Sequence, residues 1–132
     1  MEEKKELESG FRIQNILLIE SSFSRILTVI FDNPDIKQEA NVEVNVSINE
    51  NIVSVTVNLL YKQVLNEIEQ VSAKISMIGV FEKFGDSPLN LEQFGKVNGA
   101  AMIYPYIREH FTNLAVKAGI GLIFLPPVNL TK

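Results

Sequence analysis

The sequence contains no cysteine, no tryptophan and a single histidine, His110. Without cysteine there is no disulfide framework, no thiolate metal site and no thiol nucleophile, and a reducing compartment, the cytoplasm, suits the chain. A lone histidine leaves metal binding to carboxylates, and none falls at ligand spacing on its helical face. Near the N-terminus the longest apolar run is "ILLI", Ile16 to Ile19, far short of the roughly 20 residues of a membrane-spanning helix, so no direct membrane insertion is expected. Positive charge is also scarce. Twelve Lys plus Arg against sixteen Asp plus Glu give a formal charge of −4, the wrong sign for a protein that must neutralise phosphates, which argues against a nucleic-acid partner. Gly95 and Gly99 in "FGKVNGAA" match neither GxGxxG nor GxxxxGK, so they make no phosphate cradle and are expected to permit close helix packing or a break. No cofactor is expected.

What is present is apolar. Hydrophobic residues make up 46% of the 132 residues, generous for one domain of this size, and part of that surface is expected to be covered by a partner. "MEEKKELESG" mixes both charges without an apolar core, so residues 1–10 read as a disordered tail, neither signal peptide nor lipidation site, ahead of one domain over 11–132.

Four strands follow from period-two patterning. "FRIQNILLIE", from Phe11, alternates and then turns apolar on both faces, as a strand covered on both sides would. In "NVEVNVSI" Val42, Val44, Val46 and Ile48 alternate with polar residues, and the pattern resumes after "NEN" in "VSVTVNLLY", which predicts a hairpin. "IEQVSAKISMIGVFEKF" supplies the fourth, with Val71, Ala73, Ile75, Met77, Gly79 and Phe81 on one face. The intervening residues 21–40 read as a long connection. Its Phe23, Ile26, Leu27, Ile30 and Phe31 either tuck onto the sheet or line a groove.

From about Leu91 to Ala118 the period becomes helical. "DSP", Asp86 to Pro88, is a possible cap, and Gly119 a stop. Pro105 costs a helix interior about 3 kcal/mol, which predicts two helical pieces joined near "NGAAMIYP". Ile103, Ile107, Phe111 and Leu114 form one stripe, with His110 at its edge. The fold class is therefore α+β: a four-stranded antiparallel sheet covered on one face by C-terminal helices. The chain closes with "IGLIFLPPVNL", where two prolines belong on an edge or in a loop.

The one place that suggests chemistry is "MIYPYIREHF", Met102 to Phe111. Adjacent helical positions point about 100° apart, so Glu109 is poorly placed to orient His110, and no serine lies one turn away to act as nucleophile. The geometry favours a helix seam over an acid–base cluster, and no catalytic residues and no enzyme activity are expected.

"FRIQNILLIESSF" near the start and "PYIREHFTNLAVKAGIGLIFLPPVNL" at the end, with PY-x-RE and a terminal PVN, resemble the SecB family of protein-export chaperones. The resemblance implies an ATP-independent holdase that takes unfolded or partly folded polypeptides in apolar grooves. It also implies a homodimer or homotetramer assembled through the long helix, and docking to the motor SecA through an acidic patch and a C-terminal tail. On this reading Phe23, Ile26, Phe31, Phe81, Phe84, Ile123, Phe124 and Leu125 line the client groove, and Ile103, Ile107, His110, Phe111 and Leu114 serve the sheet and the subunit interface. Glu20 and Glu43 are the docking candidates. The sequence departs from the pattern with Ser24 in place of a second acidic residue, with Lys74 among Ser72 and Ser76, and with the expected docking tail missing after "PVNL". Other readings stay open: a chaperone dedicated to one client such as an antitoxin, a small-molecule-binding or enzymatic α+β domain, and a purely structural interaction protein.

Overall fold

The structure, a computed structural model, describes residues 10–85, 90–121, 123 and 125. The tail assigned to residues 1–10 lies outside them except for Gly10, which opens the first strand. The Asp86–Pro88 cap and Phe124 lie outside them entirely.

Four long antiparallel strands form one sheet: β1 (Gly10–Arg25), β2 (Lys37–Asn49), β3 (Ile52–Leu65) and β4 (Ile68–Phe84). Alternation does the work predicted of it. Val53, Val55, Val57, Leu59 and Tyr61 of β3 and Val71, Ala73, Ile75 and Phe81 of β4 all face the core, while Ser54, Thr56, Asn58 and Ser72, Lys74, Ser76 form the opposite face. Each hairpin closes with two residues. In the β2–β3 turn the left-handed conformation falls on Glu50 (φ 56°) rather than on a neighbouring asparagine, and Asn51 instead donates its side-chain amide to the Lys83 carbonyl at 3.1 Å. In the β3–β4 turn Asn66 and Glu67 are both left-handed (φ 50° and 65°), the pairing that matches the twist of a tight hairpin.

The strand order is β1-β4-β3-β2. β1 and β2, neighbours in sequence, are thus the two edges, and the connection between them must cross three strand spacings, about 14 Å. Two sequence expectations change here. Residues 21–25 are strand, not connection: "SSFSR" pairs through Arg25↔Val71, a polar stretch held straight by its ladder. And β1 is not covered on both sides. Two bulges, at Gln14 and Ile19 in its register with β4, rotate the strand, and Ile13, Leu17, Leu18 and Ile19 are all exposed.

One helical stretch covers the inner face. It starts at α1 (Leu91–Gln93), capped by the Asn90 side chain accepting from the Gln93 amide at 3.0 Å. It widens into a π-helical segment over Phe94–Gly99 and continues as α2 (Ala100–Lys117). The expected break near Pro105 does not occur. Pro105 sits inside α2 with an exposed ring, and the irregularity falls about two to three turns earlier, in the π segment. The helix ends as Gly119 demands: at φ 74° it is followed by the Ile120 amide bonding the Ala115 carbonyl at 2.9 Å, and its own amide bonds Val116 at 3.0 Å.

The helix lies unusually close to the sheet. A Cβ at Gly95 would meet Val46 at 2.9 Å, one at Gly99 would meet Val55 at 3.0 Å, and one at Gly79 of β4 would meet the Ile103 methyl at 2.7 Å. These glycines let backbone approach backbone, the packing role read from the sequence for Gly95 and Gly99. Gly79→Ala is therefore expected to overpack the core and cost about 1–3 kcal/mol, read as a lowered urea midpoint at unchanged slope; an unchanged midpoint would mean that Ile103 yields freely.

Candidate functional site

The crossing connection, residues 26–36, places apolar side chains on the outside of an ordered backbone. Leu27 is 96% exposed, Phe31 56% and Ile30 48%, and Ile26 is also exposed, while Val29 between them is buried and packed in the core. Of the five apolar side chains read as tucking or lining, Ile26, Leu27, Ile30 and Phe31 face water and Phe23 packs against the core, while Val29 anchors the connection. Phe23, assigned to the connection from sequence, lies on β1 opposite Ala73 and is half-buried, its ring 6.0 Å from that of Phe111.

Polar side chains fix the backbone that carries these groups. The Gln70 carboxamide, itself buried, accepts from the Ile30 amide at 2.8 Å and donates to the Ile30 carbonyl at 3.0 Å. Its backbone carbonyl accepts from Ile26 at 3.0 Å. Arg25 donates to the carbonyls of Ile26 (2.9 Å) and Leu27 (2.7 Å) and reaches the Ala118 carbonyl at the helix C-terminus, where a cation also meets the negative end of the helix dipole. Farther on, Asn33 closes a turn on the Asp35 amide at 2.8 Å. Neither Gln70 nor Arg25 stood out in sequence, since each acts on residues far from it in the chain or through the backbone.

The remaining predicted groove residues do not join this patch. Phe81 has no exposed surface and stands edge-on to Phe94 at 5.3 Å between ring centroids, so it belongs to the core and not to a groove. Phe84, with the Arg12 guanidinium 4.4 Å over its ring, ends β4, whereas Gln70 begins it; fourteen residues of strand separate them, about 46 Å. Leu125 is buried in the core cluster. Ile123 and Leu125 border a separate groove of about 380 Å³ on the outer side of α2, with Pro105, Arg108, Glu109, Thr112 and Asn113.

The helix stripe is also placed differently. Ile103, Ile107 and Phe111 have no exposed surface within the single subunit, so they pack against the sheet and leave nothing for a subunit interface. Leu114 is half-buried against the same core. The triplet Arg108-Glu109-His110 splits three ways. The Arg108 guanidinium lies 5.4 Å over the Tyr104 ring, whose phenol burial raises and Arg108 lowers in pKa, burial being the larger effect. Glu109 borders the outer groove. His110 Nε2 is 2.8 Å from Ser21 Oγ of β1, a contact that joins helix to sheet edge. The serine absent at helical spacing thus arrives from another element, but the pair is exposed.

On the outer face of the sheet Glu20 and Glu43 share one row, Glu20–Ser76–Asn58–Glu43, yet stand on opposite edges about 14 Å apart. Lys74 Nζ lies 3.5 Å from Glu20. Among the described residues no cluster of three or more His, Asp or Glu could hold a metal ion, and no helix is long and apolar enough to cross a membrane.

An antiparallel four-stranded sheet with one C-terminal helical stretch across its inner face places the protein in the α+β class. A family model described as "Preprotein translocase subunit SecB" matches residues 4–132, and the chain belongs to the SecB family, whose SecB-like chaperones are non-enzymatic. Among solved structures it is similar to the Mycobacterium tuberculosis Rv1957 SecB-like chaperone, determined in complex with a ChAD peptide from the Rv1956 HigA1 antitoxin. That likeness has a TM-score of 0.75 at 16% identity and covers 90% of this chain and 91% of the other. Among curated proteins it is 28% identical over 60 residues to an uncharacterized protein of Methanocaldococcus jannaschii, MJ0357, a match that spans 46% of this chain and 39% of that protein.

Proposed function

We propose that this SecB-family protein is an ATP-independent holdase, cytoplasmic, which binds apolar segments of unfolded or partly folded polypeptides on the connection between β1 and β2. The observation that carries the reading is the set of four exposed apolar side chains, Ile26, Leu27, Ile30 and Phe31, on a backbone tied down by Gln70 and Arg25. Such a surface rewards apolar composition rather than a defined sequence. The test is light scattering from a chemically denatured protein diluted into buffer without nucleotide. Suppression at stoichiometric ratio is expected; its absence would sink the reading.

The subunit interface belongs on β1 rather than on the helix stripe. Among the described residues no strand pairs with its outer edge, and Ile13, Leu17, Leu18 and Ile19 are exposed along it. An uncovered apolar edge is an aggregation liability unless something pairs with it, and a second copy of the same edge, in antiparallel register about a two-fold axis, satisfies both backbone and side chains. The double change Leu17→Lys with Ile19→Lys is expected to reduce the mass by light scattering to that of one subunit, and an unchanged oligomer would place the interface elsewhere.

A second reading, a chaperone dedicated to one client, is favoured by the outer face. There Glu20 is charge-paired with Lys74 and Glu43 stands at the far edge, an arrangement that does not bring these two carboxylates together for SecA. The antitoxin peptide bound to the similar mycobacterial chaperone illustrates what such a client can be.

A further inference from the structure

We infer that Gln70 is a positioning residue for client binding: by pairing with both backbone groups of Ile30 it holds the apolar connection in its receptive form, without touching the client itself. The inference rests on the reading of residues 26–31 as the client surface.

Gln70 interrupts the alternation of β4. Gln70 and Val71, consecutive in the strand, are both buried, so one of them must point where its neighbours' pattern would not send it. Its carboxamide then does for Ile30 what a neighbouring strand does for a ladder residue, accepting one N–H and donating to one C=O, at 2.8 and 3.0 Å. A buried amide with both ends used is well compensated. A carboxylate at this position cannot donate, and an aliphatic side chain can do neither.

The consequence is entropic. Fixing one residue's backbone costs roughly 1–2 kcal/mol, and a loop that is ordered only on binding charges that cost to the complex. With Gln70 in place the ordering is complete in the free protein. Val29, the residue before Ile30, is buried in the core, so the clamp also sets which side chains turn inward. Without the clamp, the exposed Leu27, Ile30 and Phe31 are free to fold back against the sheet and hide from the client.

The test uses the full-length protein, Gln70→Met and Gln70→Glu, with a permanently unfolded, reduced and carboxymethylated protein as probe. Three quantities are measured: probe affinity by anisotropy, the urea midpoint, and amide hydrogen exchange at Ile30. Gln70→Met is expected to bind about tenfold more weakly, with exchange at Ile30 at least tenfold faster and an unchanged oligomeric mass and a cooperative urea transition. Gln70→Glu retains the acceptor for the Ile30 amide and is expected to lose affinity while exchange at Ile30 changes less. Wild-type affinity in a variant whose Ile30 amide exchanges fast would overturn the inference, as would weakened binding with the Ile30 amide still protected in Gln70→Met. If Gln70→Met lacks a cooperative transition, Gln70→Glu is read alone, and wild-type affinity in it overturns the inference. Failure of the wild-type protein to bind the probe overturns the holdase reading instead, and is seen before any variant is compared.

Discussion

Replacing Leu27 and Phe31 together by aspartate is expected to abolish client capture while leaving the fold as stable as before. Leu27 is 96% exposed and Phe31 more than half, so neither contributes much to the subunit's own core, and surface changes of this kind usually move stability by within about 0.5 kcal/mol. Burying one such side chain against a client is worth about 1.5–3 kcal/mol, and each 1.4 kcal/mol is a factor of about ten in affinity. Losing two anchors and introducing two charges should weaken binding at least about 100-fold. The check is anisotropy with an unfolded probe beside a urea titration. Loss of binding with an unchanged midpoint is the expected pattern, and retained affinity would move the client surface away from this connection.

Phe111→Ala is expected to produce the largest loss of stability of any single truncation in the helix. The ring is fully buried, 4.9 Å from the Tyr61 ring and 6.0 Å from that of Phe23. It therefore joins three elements, α2, β3 and β1, at the end of the sheet where the client surface is anchored. Truncations of this type cost about 3–5 kcal/mol, a large share of the 5–15 kcal/mol that a domain typically has. The urea midpoint should fall accordingly. A drop below about 1 kcal/mol, with dissociation into stable monomers instead, would restore Phe111 to the subunit interface that the sequence suggested for it.

The strands and the helix were legible because periodicity is a local property: Val53 to Tyr61 could face one way only if the chain was extended. What lay beyond reach was pairing. Nothing in "FRIQNILLIE" states that β1 pairs with β4 and leaves its other edge open, so apolar residues on both faces read as burial within the subunit. The same blindness moved Phe81 into a groove and Ile103, Ile107 and Phe111 to an interface. Each lies on the correct apolar face, but sequence does not say whether that face is covered by the chain's own helix. Leu27, Ile30 and Phe31 could be seen as apolar residues in a connection, but their exposure depends on Gln70, forty positions from Ile30, and on Arg25, which spans ninety-three positions to Ala118. Polar anchors that act across such separations leave no pattern. His110 shows the reverse case. Its surroundings in sequence suggested chemistry, and its actual partner, Ser21, comes from the opposite end of the chain.

The central claim is that unfolded clients bind the connection between β1 and β2. The most direct measurement is a methyl NMR titration of the Ile, Leu and Val-labelled protein with the reduced and carboxymethylated probe. The account predicts that the signals of Ile26, Leu27 and Ile30 shift together and saturate, while those of the buried Ile103 and Ile107 stay in place. Shifts confined to the outer face of the sheet, around Leu60 and Ile78, with Leu27 unmoved, would contradict it.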